Sequence, residues 1–160
     1  MNTNLTRLYG RNLSSKRVID HAPLNTPKST TVLSSVRLLG ENAFTTHTGG
    51  ITGERFISYL KEILIPTLKP GDIVVMDNMR AHHIKTVEEL LRKNGTLPLY
   101  LPPYSTDLNP IEMMWSKMKA ILRKWMVRKA EKIQSAIQQA LVVPADVRHW
   151  FAHFGYCCYF

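Results

Sequence analysis

The chain has 160 residues, 44% hydrophobic and 21% charged, which excludes a disordered polymer and gives one domain with a real core as the length prior. No apolar run approaches about 18 residues, so a membrane-spanning helix is excluded, and the only cysteines are the adjacent Cys157 and Cys158, which excludes a disulfide scaffold and leaves a thiolate metal site short of ligands. Lys+Arg 21 against Asp+Glu 12 gives a net charge of +9; the pI of about 9.8 lies in the range of nucleic-acid-binding domains, although a basic surface also serves solubility.

The first ten residues, MNTNLTRLYG, hold no apolar segment of the signal-peptide kind, so the expected compartment is a reducing cytoplasm. The start of the chain is polar, with a possible short strand at residues 17–22. Residues 29–39 are rich in Thr, Val, Ser and Leu and end at Gly40, which predicts a strand, and residues 42–48 could return as its hairpin partner. Phe56, Leu60, Ile63 and Leu64 then recur at helical spacing, with Thr52 placed to cap and Pro66 to kink or end the helix. Ile73-Val74-Val75-Met76 is a continuous apolar run of the type buried on both faces in a parallel sheet.

A second helix is predicted around residues 85–93, with Thr86 and Glu89 at capping-box spacing and Gly95 just beyond its end. Residues 97–101 read as a short strand that Pro98 pushes toward an edge. A third helix starts at Asn109 as N-cap with Pro110 at the first helical position, and Ile111, Met114, Trp115, Met118, Leu122, Trp125 and Met126 make one apolar stripe. Shorter helical patterns cover residues 133–141 and 147–154. The order predicts an α/β layer fold with a mixed sheet.

Two carboxylates stand where chemistry is expected. Asp77 ends the apolar run at residue 76, and ligands of open α/β sheets bind just outside the carboxyl ends of strands; an Asx turn explains the same residue equally well. Glu112 looks like the partner of Asn109 in a capping pair. It also follows a turn with three prolines in the nine positions 102–110, stiffer than a connector requires. Parallel strands can bring Asp77 and Glu112 together, although 34 residues separate them. Close carboxylates repel unless a cation screens them, and hard oxygen ligands favour Mg²⁺ or Mn²⁺, which in pairs clamp the oxygens of a phosphoryl transfer. Lys117, Lys119, Arg123, Lys124 and Arg128 form a basic flank suited to DNA phosphates; on an ideal helix Lys119 and Arg123 lie near the side of Glu112.

Three groups of residues carry bland readings. His149 and His153 have zinc-like spacing but no third ligand nearby. Trp115 and Trp125 could stack bases but fall on the apolar stripe. His82 and His83 can be simple loop histidines.

The segment Asp72-Ile73-Val74-Val75-Met76-Asp77-Asn78, then His82, then Leu101-Pro102-Pro103-Tyr104-Ser105-Thr106-Asp107-Leu108-Asn109-Pro110-Ile111-Glu112 resembles the mariner-like superfamily of DDE transposases, most of all its bacterial insertion-sequence branch. The resemblance extends back through Gly53-Glu54-Arg55-Phe56 and Thr3-Asn4-Leu5-Thr6-Arg7-Leu8-Tyr9-Gly10-Arg11, and forward to Phe154-Gly155-Tyr156. Thr106 stands where the family usually has proline.

The resemblance implies a ribonuclease-H-like mixed sheet flanked by helices. It implies catalytic and Mg²⁺-binding (or Mn²⁺-binding) roles for Asp77 and Glu112, with Asn78, His82 and Asn109 supporting the site. The implied reaction is phosphodiester hydrolysis at a transposon end, then attack of the freed 3′-hydroxyl on target DNA, with a homodimer expected from the pairing of two ends. Residues 1–128 would be a partial catalytic domain and 129–160 a helical extension packed on it, in the bacterial cytoplasm. The family's first catalytic aspartate, on a central strand just before the segment matching Thr3-Asn4-Leu5, has no counterpart, and Asp20 lies on the wrong side of that segment. The expectation is therefore a truncated chain, lacking also the family's helix-turn-helix region, that is inactive and poorly stable. The alternative is a catalytically dead DNA-binding or interaction module left from an insertion element.

Overall fold

The structure is a computed structural model that describes residues 10–11, 17–19, 30–40, 42–125, 135, 139 and 144–156. The elements are β1 (Thr30–Ser34), β2 (Phe44–Thr48), α1 (Gly53–Tyr59), β3 (Ile73–Met76), α2 (Lys85–Lys93), β4 (Leu97–Tyr100), α3 (Ile111–Trp125) and α4 (Pro144–His153). Residues 17–19 form no strand; the rest of the 17–22 expectation, the helix at 133–141 apart from single helical positions 135 and 139, Met126 and the two cysteines lie outside the described residues.

The hairpin forms as expected. β1 pairs antiparallel with β2, with Thr30 opposite Thr48 and Ser34 opposite Phe44. Thr52 caps α1, its hydroxyl accepting from the Arg55 amide at 3.4 Å. The following turn widens to a π-helix over Leu60–Leu64 and tightens to a 3₁₀ turn over Ile65–Thr67. Pro66 is the cause: it lacks an N–H and its ring crowds the carbonyl four residues back, so the regular ladder cannot pass it.

β3 and β4 pair in parallel, Ile73 opposite Leu97 and Met76 opposite Tyr100, with α2 as the crossover. The expected capping box of α2 does not form. The helix starts after Ile84, without a side-chain cap, and Thr86 and Glu89 lie inside it. Ile84 instead packs so closely on Gly53 that any β-carbon there would collide with its Cδ1. Tertiary packing therefore sets the helix start rather than the local cap signal. Gly95 ends the helix in the left-handed region, at φ 76°, as its residue type suggests.

Two clusters of buried side chains flank the strands. Phe56, Tyr59, Leu60 and Leu64 of the first helical segment, with Val87 and Leu91 of α2, pack on Leu33 and Ala43 at the β1–β2 hairpin and on Met76 and Val74 of β3. Met114, Met118 and Leu122 of α3, with Val147 and Trp150 of α4, pack on Val32, Val36 and Phe44. Adjacent residues of β1, Val32 and Leu33, thus feed opposite clusters, as the strand period of two requires. The β1–β2 hairpin thus lies between the helices of the two clusters, while the β3–β4 pair is covered by helices on one face. The alternating face of the β3–β4 pair, with Ile73, Leu97 and Leu99, is exposed. The apolar run of β3 is therefore covered on one face only, where the sequence reading expected burial on both.

The expected single mixed sheet is not continuous among the described residues. They form two separate two-stranded sheets, β1–β2 and β3–β4. Both sheets supply side chains to the same α1/α2 cluster, so they belong to one layer.

Candidate active site

A cavity of about 860 Å³ opens between the two sheets. It is lined by the consecutive residues 32–39 on one side and 73–77 on the other. A cavity above one face of a strand would meet every second residue, whereas one lined by every residue runs along the strand edge. Arg37 closes one end of this slot. Its guanidinium pairs with Asp72 and donates to the Thr67 carbonyl oxygen at 2.6 Å. The Asp72 carboxyl is held below the ordinary carboxylate range, first by the Lys69 amide that donates to it at 2.8 Å and also by Arg37, against the opposing effect of burial.

Asp77 stands at the other end, where β3 stops. Its Oδ1 accepts from the Met79 amide at 3.2 Å, which is the Asx turn the sequence permits. The same Oδ1 lies 2.8 Å from His82 Nδ1. Oδ2 has no partner among the described residues, and the side chain is 56% exposed. One carboxylate oxygen is held while the other has no partner among the described residues, so the turn and the ligand readings of Asp77 are compatible.

His82 is no free loop histidine. Its side chain is only 12% exposed, and its ring packs on Phe56 with centroids 4.5 Å apart. Its carbonyl oxygen accepts from the Tyr100 hydroxyl at 3.1 Å. Asn78 bonds His83, whose ring stacks on Tyr100 at 4.4 Å, so Asn78 braces the loop and is absent from the cavity lining. Phe56 and Tyr100 escaped the sequence reading. Phe56 looks like an ordinary core position on a helical stripe, and Tyr100 like a strand end.

Glu112 lines the same cavity as Asp77, together with Asn109, Trp115, Phe151 and Tyr156. Asn109 Oδ1 accepts from the Ile111 amide at 3.4 Å and its carbonyl from the Glu112 amide at 3.0 Å, so Asn109 does start the helix. The reciprocal half of a capping pair is missing. The Glu112 carboxylate makes no hydrogen bond or ion pair with any described residue. The turn before it is tied from a distance, the Tyr156 hydroxyl donating to the Leu108 carbonyl oxygen at 2.9 Å.

The basic flank divides. Lys117 pairs with Asp146 of α4 and lies 5.9 Å from the centroid of the Trp150 ring, so it holds helices together. Lys119 and Lys124 are exposed, Arg123 is half-buried, and Arg128 lies outside the described residues.

The two acids thus share a cavity at the carboxyl end of β3 and the start of α3. The family model described as DDE superfamily endonuclease matches residues 1–134. The chain belongs to the DDE superfamily endonucleases. A comparison with curated proteins gave no match. Membership makes this a nuclease domain of transposase type, acting on DNA, in a family whose enzymes generally use divalent metal ions. The mixed α/β architecture is consistent with it. Among the described residues no helix is long and apolar enough to cross a membrane.

The donor chemistry suits a hard divalent cation, since Asp77 and Glu112 both offer carboxylate oxygens that have no partner among the described residues. The donor number does not. Among the described residues no group of three or more His, Cys, Asp and Glu side chains converges on one point. Two carboxylates do not complete a site for a pair of ions.

Proposed function

We propose that this chain is the catalytic part of a bacterial insertion-sequence transposase of the mariner-like branch, with a ribonuclease-H-like sheet whose central strand is missing among the described residues. Asp77 and Glu112 are two of its acidic ligands for Mg²⁺ or Mn²⁺, supported by His82 and Asn109 at the cavity and by Asn78 in the loop. One observation carries the reading: Asp77 and Glu112, with 34 residues between them in the chain, line the same cavity.

The slot supports this reading, because among the described residues no strand pairs with the cavity-lining edges of β1 and β3. The edges of β1 and β3 that face away from their partners line one cavity within a shared layer. An extended segment there would hydrogen-bond to both edges and join the two pairs into one sheet. Its carboxyl end would emerge beside Asp77 if it ran parallel to β3. An acidic residue at that end would supply the third carboxylate. Without it the chain binds DNA through Lys119 and Lys124 but does not cleave. In the completed unit the reaction is hydrolysis at a transposon end and transfer of the 3′-hydroxyl to target DNA. The helix α4, packed on α3, belongs to the C-terminal extension of this unit.

The shortage of carboxylates also favours a second reading, a DNA-binding module without catalysis. The two separate by nicking of supercoiled DNA with Mg²⁺. The chain as it stands is expected to be inert. The chain joined to an upstream reading frame that encodes a strand ending in aspartate is expected to nick, and to stop when Asp77→Ala or Glu112→Ala is introduced. Nicking by the unextended chain would overturn the incompleteness. Nicking by the extended chain that survives both substitutions would overturn the site.

A further inference from the structure

Tyr104 has no intramolecular reason to be where it is. Its side chain is 100% exposed, so the ring buries nothing against this chain. Its backbone sits at φ 61°, the only described non-glycine residue with positive φ. Glycine or asparagine adopts that conformation with far less steric penalty than a residue with a bulky β-carbon substituent. Both local effects, lost burial and strained backbone, disfavour tyrosine here. Strain of this kind persists where the surrounding structure over-determines it and something outside the fold uses the result.

The surroundings do over-determine it. The Leu101 amide donates to the Met76 carbonyl oxygen at 2.8 Å, which anchors the loop to the end of β3 next to Asp77. Pro102 and Pro103 then fix the backbone into the Tyr104 position. A 3₁₀ turn at Thr106–Leu108, held by the Tyr156 hydroxyl, leads on to Glu112. Tyr104 thus stands on a stiff loop that is tied to the end of β3, next to Asp77, and leads into the start of α3, which carries Glu112.

We propose that Tyr104 is a DNA-contacting residue that stacks on an unpaired base next to the phosphodiester engaged by Asp77 and Glu112. A presented aromatic ring gains from any exposed base face, and a rigid loop loses little entropy on binding. A base inside an intact duplex has no free face to offer, so the partner is a strand end or a base turned out of the stack. This rests on the reading of the chain as a DNA endonuclease domain.

The test compares the full chain with Tyr104→Ala, Tyr104→Trp and Tyr104→Gly, titrated by fluorescence anisotropy against a blunt duplex and the same duplex with a short single-stranded overhang. Tyr104→Ala and Tyr104→Gly should weaken overhang binding by about tenfold and leave the blunt duplex unchanged, while Tyr104→Trp retains binding. The melting temperature of Tyr104→Gly should equal or exceed that of the parent. Unchanged overhang binding by Tyr104→Ala, an equal loss on both duplexes, or a lower melting temperature for Tyr104→Gly would each overturn the proposal. If the parent binds neither duplex, the DNA reading itself fails and the proposal falls with it.

Discussion

The Nδ1 atom of His82 lies 2.8 Å from Asp77 Oδ1 and 3.1 Å from the carbonyl oxygen of the same aspartate, while its ring rests on Phe56. A buried aromatic thus fixes a histidine, which in turn fixes a carboxylate at the end of β3. Outer groups that orient a metal ligand typically change affinity or activity by about ten- to a hundredfold when removed. His82→Ala is therefore expected to speed hydrogen exchange at the Met79 amide, whose acceptor is the same Oδ1. On the proposed reading, with Asp77 a metal ligand and the additional strand supplied, it should also lower metal-dependent nicking by about ten- to a hundredfold. Unchanged exchange at Met79 would show that His82 does not hold the turn.

The open slot has consequences for the chain alone. Among the described residues no strand pairs with the cavity-lining edges of β1 and β3; such edges template pairing with other chains, and an apolar cavity of about 860 Å³ invites hydrophobic dyes. Concentration-dependent self-association in sedimentation and enhanced fluorescence of an anilinonaphthalene dye are expected. Both should fall when the chain is joined to the additional strand proposed above to fill the slot. A monomer that binds no dye would mean that the slot closes in solution.

Stability should vary with pH at both ends of the range. Asp72 has its carboxyl lowered in the folded chain, chiefly by the Lys69 amide and then by Arg37. Its contribution is therefore present above the unfolded value of about 4 and fades as acid protonates the folded carboxylate. Asp72→Asn should cost up to about 1 kcal/mol near neutrality, and the difference should vanish in acid melts. Burial raises the Tyr59 hydroxyl to about 12, against a smaller lowering by Ser35, and that hydroxyl donates to the Ala43 carbonyl oxygen at 2.9 Å. The Tyr59 contribution is complete below about pH 10 and is lost as pH climbs toward its folded value. Tyr59→Phe should cost about 1 kcal/mol at neutral pH and flatten the alkaline decline, as read from melting temperature across the range.

The basic residues of α3 should divide by role. Lys119→Ala and Lys124→Ala are each expected to reduce the salt slope of DNA binding by about one and leave stability unchanged. Lys117→Ala should leave the slope unchanged and lower stability by up to about 1 kcal/mol, because its ammonium pairs with Asp146. Binding isotherms at several salt concentrations, paired with thermal melts, separate the two groups. An equal effect of all three on the slope would remove the structural role assigned to Lys117.

Much of this was legible from residue patterns. The hairpin at β1 and β2, the Thr52 cap, the Asn109 start of α3 and the stripe of Met114, Met118 and Leu122 are local or periodic signals, and each formed where the sequence points. The signals that misled were also local. Thr86 and Glu89 have capping spacing, but Ile84 finds a place against Gly53 that only the packing of α1 and α2 creates. Lys117 reads as one more cation of a basic face until α4 brings Asp146 to it. The Asn109 and Glu112 spacing reads as a reciprocal cap, yet only the Asn109 half forms.

Sequence alone determined the elements, the excess of positive charge and the positions of Asp77 and Glu112, because helix and strand periods and turn residues act over a few neighbours. Tertiary structure decided that one Asp77 oxygen is held by His82 while the other has no partner among the described residues. It also decided that Glu112 shares the cavity of Asp77 and that β1 and β3 stand apart with facing edges. These are relations between residues tens of positions apart. They depend on how the helices α1 and α2 on one side, and α3 and α4 on the other, pack across the strand layer, and no local period encodes that.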